Sequence, residues 1–403
     1  MKSKYPLNLT PFIRSAPWGG DGALLPFLAS LAIKKAKESH PLAELWYSAY
    51  PLAPSTTVVE KKSFTLHQLL HQQSALLLGD TTDRNLPFII KILHAERAQP
   101  LHLHPNEAQA KAGMLLENQA HLAPEKRLFH DAFAKSELLY ALDPQVEILA
   151  GFLPFAEIQE RLELFSIASL QKMAQPFYQS PTPQSLQALL MQLFTLPAKE
   201  QQVLAQQILR IADDYQEIFS YASQIVHLAG ENPEDLTLIM PLFLQHQLLM
   251  CDESILIAPQ TPHLILRGLM VEISTPSDNM LPLASPSSHH PASFWSHLDL
   301  TLPQPNLIQR DRHNPDLPLS NLPFHIQMVH LEESHFINGK NQPLILLALK
   351  GKARLSSASG NRLRDKLPID DIALTRGEAI FLPHEAGGYT LEGRGLFLLV
   401  WRL

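Results

Sequence analysis

Hydrophobic and polar positions follow different periods along the chain, and the first 150 or so residues favour strands. The clearest strand is the run 86–93, LPFIIKIL, in which Lys91 is the only charged residue. Because a lysine is seldom buried without a partner, the pattern alone predicts Lys91 on the solvent face of an edge strand. The segment around His102 follows about ten residues later and is a candidate hairpin partner for that strand.

The middle of the chain, from about 155 to 255, changes to helical spacing. Leucines repeat there at intervals of three and four, for example at Leu186, Leu189, Leu190 and Leu193. Stripes of this kind form the buried faces of helices. We therefore predict a helical block and assign it no chemistry.

Strand-like runs return after the helical block, at 255–258 and 264–266. They precede a connection over 282–323 that is rich in Pro, Ser, His and Asn. After about 324, short apolar runs such as 344–349 and 396–400 alternate with glycines, a pattern typical of a small β-barrel or jelly roll. The chain is predicted to be mainly β with an inserted helical block.

Composition and charge narrow the classes of function. The length of 403 residues exceeds what one core usually covers, and 45% hydrophobic with 18% charged residues predicts a folded protein. The net charge of −7 argues against non-specific nucleic-acid binding, and no apolar run reaches the roughly 18–20 residues that span a bilayer. Cys251 is the only cysteine, and its apolar neighbours at 248–250 predict a small buried side chain. With a single cysteine and no visible secretory signal, a reducing cytoplasm is the simplest compartment.

The segment 100–106, PLHLHPN, carries the first candidate chemistry. His102 and His104 are two residues apart on an extended stretch, so both side chains point to the same face. Neutral imidazole is the commonest metal ligand in proteins, and two of them supply half of a four-ligand zinc site. Because the chain has 19 histidines, such a pair also arises by chance, and the pair alone leaves a purely structural role open.

Several motifs, taken in order, resemble one family. They are PWG at 17–19, AELW at 43–46, LPFIIKIL at 86–93, which is similar to the family's LPFLFKVL, and AQPLHLHPN at 98–106, which is similar to PLSIQVHPN. Together they resemble the type I mannose-6-phosphate isomerases, zinc enzymes of the cupin class that interconvert mannose 6-phosphate and fructose 6-phosphate.

The resemblance implies a fold and a division into domains. We expect cupin-type jelly-roll β domains with an inserted helical domain. Residues 1–154 and 255–323 would form the catalytic β domain, 155–254 the helical domain, and 324–403 a second cupin-like β domain. The sequence carries no signal for an oligomeric state.

The resemblance also implies a ligand set for Zn²⁺. His104 matches the family's ligand histidine, and His102 stands where the family has a ligand glutamine. Glu137, in KSEL, matches the carboxylate of KPEL, and His263, in PHLIL, matches the histidine of PHAYL. Taken singly, Glu137 could be a surface carboxylate and His263 a structural histidine. Only the joint match points to metal.

Three further residues have implied catalytic roles. Glu272 lies in VEISTPSDN, which is similar to the family's VEVMANSDN, and is the candidate proton carrier or hydroxyl ligand. Lys91 and Lys135 match lysines of the family's motifs and would offer positive charge to an enediolate or to the substrate phosphate. The pair Asp278 and Asn279 in the same stretch could be only a turn.

The sequence departs from the family in the residues expected around the substrate. Pro282 stands in the place of an arginine implicated in catalysis, Ser288 in that of a lysine, and Pro100 in that of a serine associated with phosphate binding. Ile265 replaces a tyrosine. The expected metal ligand set looks intact, while the set of residues that would bind the phosphate and handle the proton is eroded.

Another arginine could replace the family's missing arginine by reaching the site from a different segment, and Arg267, Arg310 and Arg312 are the candidates. An isolated arginine is more often a solvated surface charge, so the sequence leaves open whether any of the three has this role. Two functions follow. The first is a zinc-dependent isomerase acting on a sugar phosphate. The alternative is a metal-binding cupin that binds a sugar but has lost or altered the isomerase reaction.

Overall fold

The computed structural model describes residues 6–31, 40–79, 84–230, 232–283, 291–305, 307–309, 314–319, 321–339, 342–357, 371–384 and 387–403. The strands in these residues are β1 (Leu7–Leu9), β2 (Phe12–Ser15), β3 (Leu42–Ser48), β4 (Thr56–Val59), β5 (Lys62–Thr65), β6 (Ile89–Ala95), β7 (His102–Leu103), β8 (Glu137–Ala141), β9 (Gln145–Phe152), β10 (Leu244–Met250), β11 (Ser254–Ile257), β12 (His263–Ser274), β13 (Leu281–Pro282), β14 (Leu307–Ile308), β15 (Phe324–Leu331), β16 (Ser334–Gly339), β17 (Leu344–Ser357), β18 (Ile372–Thr375), β19 (Ala379–Leu382) and β20 (Gly387–Arg402). The α-helices are α1 (Asp21–Leu28), α2 (Leu66–Gln72), α3 (Ser74–Leu77), α4 (Glu107–Gln119), α5 (Phe155–Leu164), α6 (Ala168–Gln179), α7 (Pro183–Phe194), α8 (Ala198–Tyr215), α9 (Ser220–Ala229) and α10 (Pro291–His297). Short 3-10 turns cover Ala29–Leu31, Pro124–Lys126 and Leu236–Leu242.

The larger sheet is antiparallel and has β12 at its centre. One half of β12 pairs with β6 and β8, and the other half pairs with β7 and β9. The order β14-β11-β8-β12-β6-β3-β2 forms the main path of its eleven strands. Strand β12 therefore brings segments far apart in the chain onto one surface.

The two faces of this sheet differ in chemistry, as the period of two predicts. On β6, Ile90 and Ile92 point into a hydrophobic core that the larger sheet shares with the C-terminal strands. Lys91 points the other way, beside Trp46 of β3 and Glu272 of β12 in the cross-strand register. One face thus stabilises the fold and the other carries polar side chains.

The C-terminal sheet has seven strands, with the path β1-β19-β17-β20-β15 and with β16 and β18 at its sides. Its strand β1 comes from the start of the chain, where Leu7 lies opposite Phe381. Glycine is needed where β17 bends, because Gly351 has φ of 81° and a Cβ there would lie 2.1 Å from the carbonyl oxygen of Arg394.

Helices α5 to α9 form the predicted helical block and bury its leucine stripe against one core. The pattern favoured helix to about residue 255, but the chain returns to strand at β10, which pairs with β9 of the larger sheet. In β10 the buried positions include Leu244 and Leu249, and exposed side chains such as Leu248 lie between them, as in a strand covered on one face. The three-domain division at the bounds given above stays a prediction.

Three local expectations were wrong. Strand β6 is internal rather than at an edge, and Lys91 is only 2% exposed because carboxylates on neighbouring segments neutralise it. The His102 segment is not its hairpin partner, since β7 has two residues and pairs with β12 and β13. Cys251, expected in the core, is exposed in the turn after β10. None of the described helices combines the length and the apolar character that crossing a bilayer requires.

Candidate metal centre

The structure brings the four predicted ligands together at the polar face of the larger sheet. His102 begins β7 and lies opposite His263, the first residue of β12. The ligand nitrogens of His102, His104 and His263 lie within 4.8 Å of one another. Glu137, at the start of β8, completes the cluster with Oε1 2.8 Å from Nε2 of His263 and Oε2 3.4 Å from Nε2 of His104.

Each histidine ring is held by a backbone carbonyl behind it. The Nδ1 atoms lie 2.8 Å from the oxygen of Pro100, 2.6 Å from that of Asn279 and 2.9 Å from that of Thr261, for His102, His104 and His263 in turn. A carbonyl only accepts, so each Nδ1 carries the proton and each neutral ring presents a lone pair at Nε2. This is the arrangement that metal-binding histidines have in proteins.

Charge at the site favours the same protonation states. Burial, with the neighbouring histidines, holds the pKa of His102 well below its usual value, and burial together with Lys135 lowers the pKa of His104 to about 4. Burial opposes ionisation of Glu137, but the Lys135 ammonium and the adjacent histidines hold its pKa well below the ordinary value. The carboxylate of Glu137 therefore faces the neutral imidazoles of His102 and His104 at neutral pH.

The donor atoms of this cluster fit a cation. Nε2 of His104 and of His263 is buried and makes no hydrogen bond to the described residues. A lone pair 2.8 Å from a carboxylate oxygen is repulsive unless a positive charge lies between them. Three imidazoles and one carboxylate are the ligand types of zinc sites, so the residues fit a metal ion.

The three predicted catalytic residues lie next to the cluster as one ion-paired group. Oε1 of Glu272 lies 2.9 Å from Nζ of Lys135 and 3.1 Å from Nζ of Lys91. Lys135 also contacts Oε2 of Glu137 at 2.6 Å, so it links this group to the ligand set. Burial disfavours a charge on Glu272, but the two ammonium groups outweigh it and lower its pKa.

The sequence analysis missed Arg14 and gave no role to Glu44, and both lie at this site. The Arg14 guanidinium donates to Asp278 at 2.8 Å, lies 3.6 Å from Oε2 of Glu44 and stacks over the Trp46 ring at 4.4 Å. Trp46 in turn donates to Glu44 at 2.6 Å, and Nζ of Lys91 lies over its ring at 4.0 Å. The only hint in the sequence was an arginine within a short strand, and such arginines are common on protein surfaces, so the pattern did not predict a place for Arg14 at the site.

Asn279, which could have been only a turn residue, is fully buried and positions the ligands. Its side-chain oxygen accepts from the backbone N–H of His130 at 2.6 Å, and its amide donates to the carbonyl of Asp131 at 2.9 Å. Its own carbonyl accepts from His104. The turn therefore ties the ring of one ligand to the loop before β8.

A cavity of about 930 Å³ opens above these groups. Its wall includes the ligands His102, His104 and Glu137, the group around Glu272, and a basic segment of the loop before β8. The volume falls within the range of small-molecule sites. Its inner residues are Arg14, Glu44, Lys91, Lys135, Glu137, Glu272 and Asp278, and the three cations and four carboxylates among them leave a formal charge of −1.

The residues that depart from the family also lie on this wall. Pro282 is opposite His102 in the strand register, and Pro100 and Ile265 line the cavity beside it. Arg267 does not compensate, because it lies outside the cavity wall and donates to Glu147 at 2.8 Å. Arg310, Arg312 and Ser288 lie outside the described residues.

Comparison with known proteins shows which family this chain is similar to. The model of the type I phosphomannose isomerase catalytic domain matches residues 7–155. Mannose-6-phosphate isomerase of Escherichia coli is 29% identical over 276 residues, which cover 67% of this chain and 68% of that protein. A probable mannose-6-phosphate isomerase of Caenorhabditis elegans is 26% identical over 287 residues, covering 68% and 66%.

Solved structures share the fold over nearly the whole chain. A mutant of phosphomannose isomerase from Salmonella typhimurium superposes with a TM-score of 0.85 at 21% identity and covers 98% of this chain and 99% of its own. A mannose 6-phosphate isomerase bound with zinc and yttrium gives the same TM-score and coverage. The predicted fold class, mainly β of cupin type with an inserted helical part, is confirmed. The ordered motifs, the curated relatives and the shared fold agree: residues 7–155 match the type I phosphomannose isomerase catalytic domain, and the chain is similar to mannose-6-phosphate isomerases over about two thirds of its length.

Proposed function

We propose that this protein is a zinc-dependent aldose–ketose isomerase that interconverts mannose 6-phosphate and fructose 6-phosphate. One observation carries the proposal: a converging set of buried metal donors lies directly beside a buried carboxylate that two ammonium groups hold ionised. His102, His104, Glu137 and His263 would hold the metal. Bound there, zinc would supply Lewis-acid polarisation of substrate oxygens.

The chain's own residues would handle the proton. Isomerisation moves a proton between C1 and C2 of the sugar, so it needs a base beside those carbons. Glu272 is the base that we propose, because its lowered pKa keeps it ionised at neutral pH and it lines the cavity. Lys135 and Lys91 would hold that carboxylate in place and stabilise negative charge that develops on the neighbouring oxygens.

The alternative, a metal-binding cupin that binds a sugar without turnover, is favoured by one observation. Pro282, beside His102, has neither a charge nor a backbone N–H, so it cannot provide what the family's arginine provides at that position. A coupled assay for fructose 6-phosphate separates the two functions. Turnover that a chelator abolishes and zinc restores supports the isomerase. Zinc-loaded protein without turnover refutes it and supports the alternative.

The role of Glu272 has its own test. We expect Glu272→Gln to lower kcat by at least about 100-fold, since general acid–base catalysis contributes roughly 10²–10⁴-fold. The zinc content, measured by atomic absorption, should stay at the wild-type level because Glu272 is outside the ligand set. Glu107→Gln on the exposed start of α4 is the matched control and should leave kcat unchanged. An active Glu272→Gln variant would remove this residue from the mechanism.

A further inference from the structure

The cavity needs a cation for an anionic substrate group, and most of its cations are already committed to carboxylates. Lys91 and Lys135 contact Glu272. Arg14 directs its guanidinium at Asp278, with Nη2 2.8 Å from Oδ2 and Nη1 3.4 Å from Oδ1. A phosphate would have to displace a buried or half-buried ion pair to reach any of the three.

Arg127 differs from these cations because its partners are neutral. It lies on the rim of the same cavity, in the loop before β8. Its Nε donates to the carbonyl of Leu122 at 3.0 Å and its Nη1 to the side-chain oxygen of Asn118 at 2.8 Å. Neither acceptor offsets its charge, and no carboxylate pairs with it among the described residues. Three of its five N–H groups make no hydrogen bond to the described residues.

The loop that carries Arg127 is fixed at several points. Glu117 of α4 accepts from the backbone N–H groups of Leu128 and Phe129 at 2.9 and 3.1 Å. The N–H of His130 donates to Asn279, which is part of the turn behind the ligand His104. The rim is thus built onto the same turn as the metal ligands, and the orientation of the guanidinium is set before a ligand arrives.

Charge separates the two ends of the cavity. The inner group has a formal charge of −1, whereas the rim carries the positive charges of Lys126 and Arg127, neither of which forms an ion pair with a carboxylate among the described side chains, and His130 lies beside them. A planar guanidinium with free N–H groups matches the oxygens of a phosphate in a bidentate way. A ligand with a polar ring and a phosphate at one end would complement both ends of the cavity.

We propose that Arg127 binds the phosphate group of the substrate and takes over an anion-binding role for which Pro282 and Pro100 have no donor. Lys126 adds charge at the same rim. This inference rests on the proposed isomerase function for the identity of the substrate, but not for the existence of the anion site. In this proposal the substrate phosphate binds at the loop before β8 and not at the segment around Pro282.

The test uses zinc-loaded full-length protein and the variants Arg127→Gln and Arg127→Lys. A charge-assisted hydrogen bond that binds substrate and transition state equally raises KM and leaves kcat nearly unchanged. We expect Arg127→Gln to raise the KM for mannose 6-phosphate and the Kd for inorganic phosphate by about 10- to 100-fold. Arg127→Lys, which keeps the charge but loses the fork, should fall between that variant and the wild type. Arg267→Gln, which removes an exposed arginine outside the cavity, is the matched control and should match the wild type.

Each outcome separates the inference from the proposed function. If the wild type turns over substrate and both Arg127 variants keep wild-type KM and phosphate Kd, the anion site is refuted and the isomerase stands. If the wild type has no turnover but binds phosphate, and Arg127→Gln weakens that binding, the anion site is supported and the isomerase is refuted. A wild type with neither property refutes both. Circular dichroism and zinc content identify a variant that has misfolded. If Arg127→Gln misfolds, the KM and phosphate Kd of the milder Arg127→Lys variant decide whether Arg127 binds the anion.

Discussion

Replacing Lys135 by methionine tests whether the buried charges stabilise the protein as the structure indicates. Nζ of Lys135 lies 2.6 Å from Glu137 and 2.9 Å from Glu272, and its side chain is only 5% exposed. Methionine keeps much of the side-chain length but leaves Glu137 without an ammonium partner and Glu272 with Lys91 alone. Because breaking a buried ion pair by removing one partner costs about 3–5 kcal/mol, we expect a loss of that size in the metal-free protein at pH 7.

The sign of the pH dependence follows from the two carboxylates. In the wild type both pKa values lie below their ordinary value of 4.5, so these groups contribute stability above that pH and lose it as the pH falls. Lys135 is the largest of the influences that lower both. Without it, fewer positive charges oppose burial, so the pKa values of Glu137 and Glu272 rise and the variant loses less stability than the wild type as the pH falls. The difference between wild type and Lys135→Met should therefore shrink as the pH falls from 7 towards 4.

Urea unfolding with a chelator present, followed by circular dichroism at pH 7 and at pH 4, measures this difference. Lys111→Met is the matched control, because Lys111 pairs with Glu107 on the exposed face of α4 and should cost no more than about 0.5 kcal/mol. Added zinc should restore part of the lost stability, since a divalent cation replaces the missing positive charge beside Glu137. A Lys135→Met loss below about 1 kcal/mol, or one equal at both pH values, would refute the reasoning.

Two further substitutions test groups outside the ligand set. Asn279→Ala frees the turn whose carbonyl holds His104, so we expect zinc affinity to fall about 10-fold in competition with a chelator, and an unchanged affinity would contradict this role. The hydrogen bond from His246, with Arg267, outweighs partial burial and lowers the pKa of Glu147 to about 2. Glu147→Gln should therefore cost about 1 kcal/mol at pH 7 after allowance for solvent screening, and thermal unfolding should show this cost vanishing as the pH falls from about 4.5 towards 2.

Periodicity predicted the elements well and the position of charged residues badly, and Lys91 illustrates why. Its strand was identified from a local run of apolar residues, a pattern that depends only on neighbours in sequence. Its burial depends on Glu272, which lies 181 positions later and reaches it only through the pairing of β6 with β12. A single sequence contains no information on that pairing, so the burial of a lone lysine was judged without its partner.

The candidate site shows the same division between local motif and long-range contact. His102 and His104 stand out from spacing alone, but Glu137 and His263 entered only through the resemblance to a family. A motif comparison shows which family residues this chain has replaced, but it does not show which residues elsewhere in the chain take over their roles. Arg127 and Arg14 carried no motif in the sequence analysis, and their partners show which of them is committed to a carboxylate and which is open.

The charges at the two ends of the cavity imply that metal and phosphate bind cooperatively. The inner group has a formal charge of −1 without metal, which repels an anion approaching the rim, and a divalent cation changes it to +1. Opposite charges in a cavity with low-dielectric walls interact over longer distances than in bulk water. Zinc should therefore tighten phosphate binding in the wild type, and by linkage phosphate should tighten zinc. In Arg127→Gln the zinc-dependent gain should persist from a weaker starting affinity, because the inner charge changes in the same way. If phosphate instead bound only to the metal ion, removing Arg127 would leave phosphate affinity in the zinc-loaded protein unchanged.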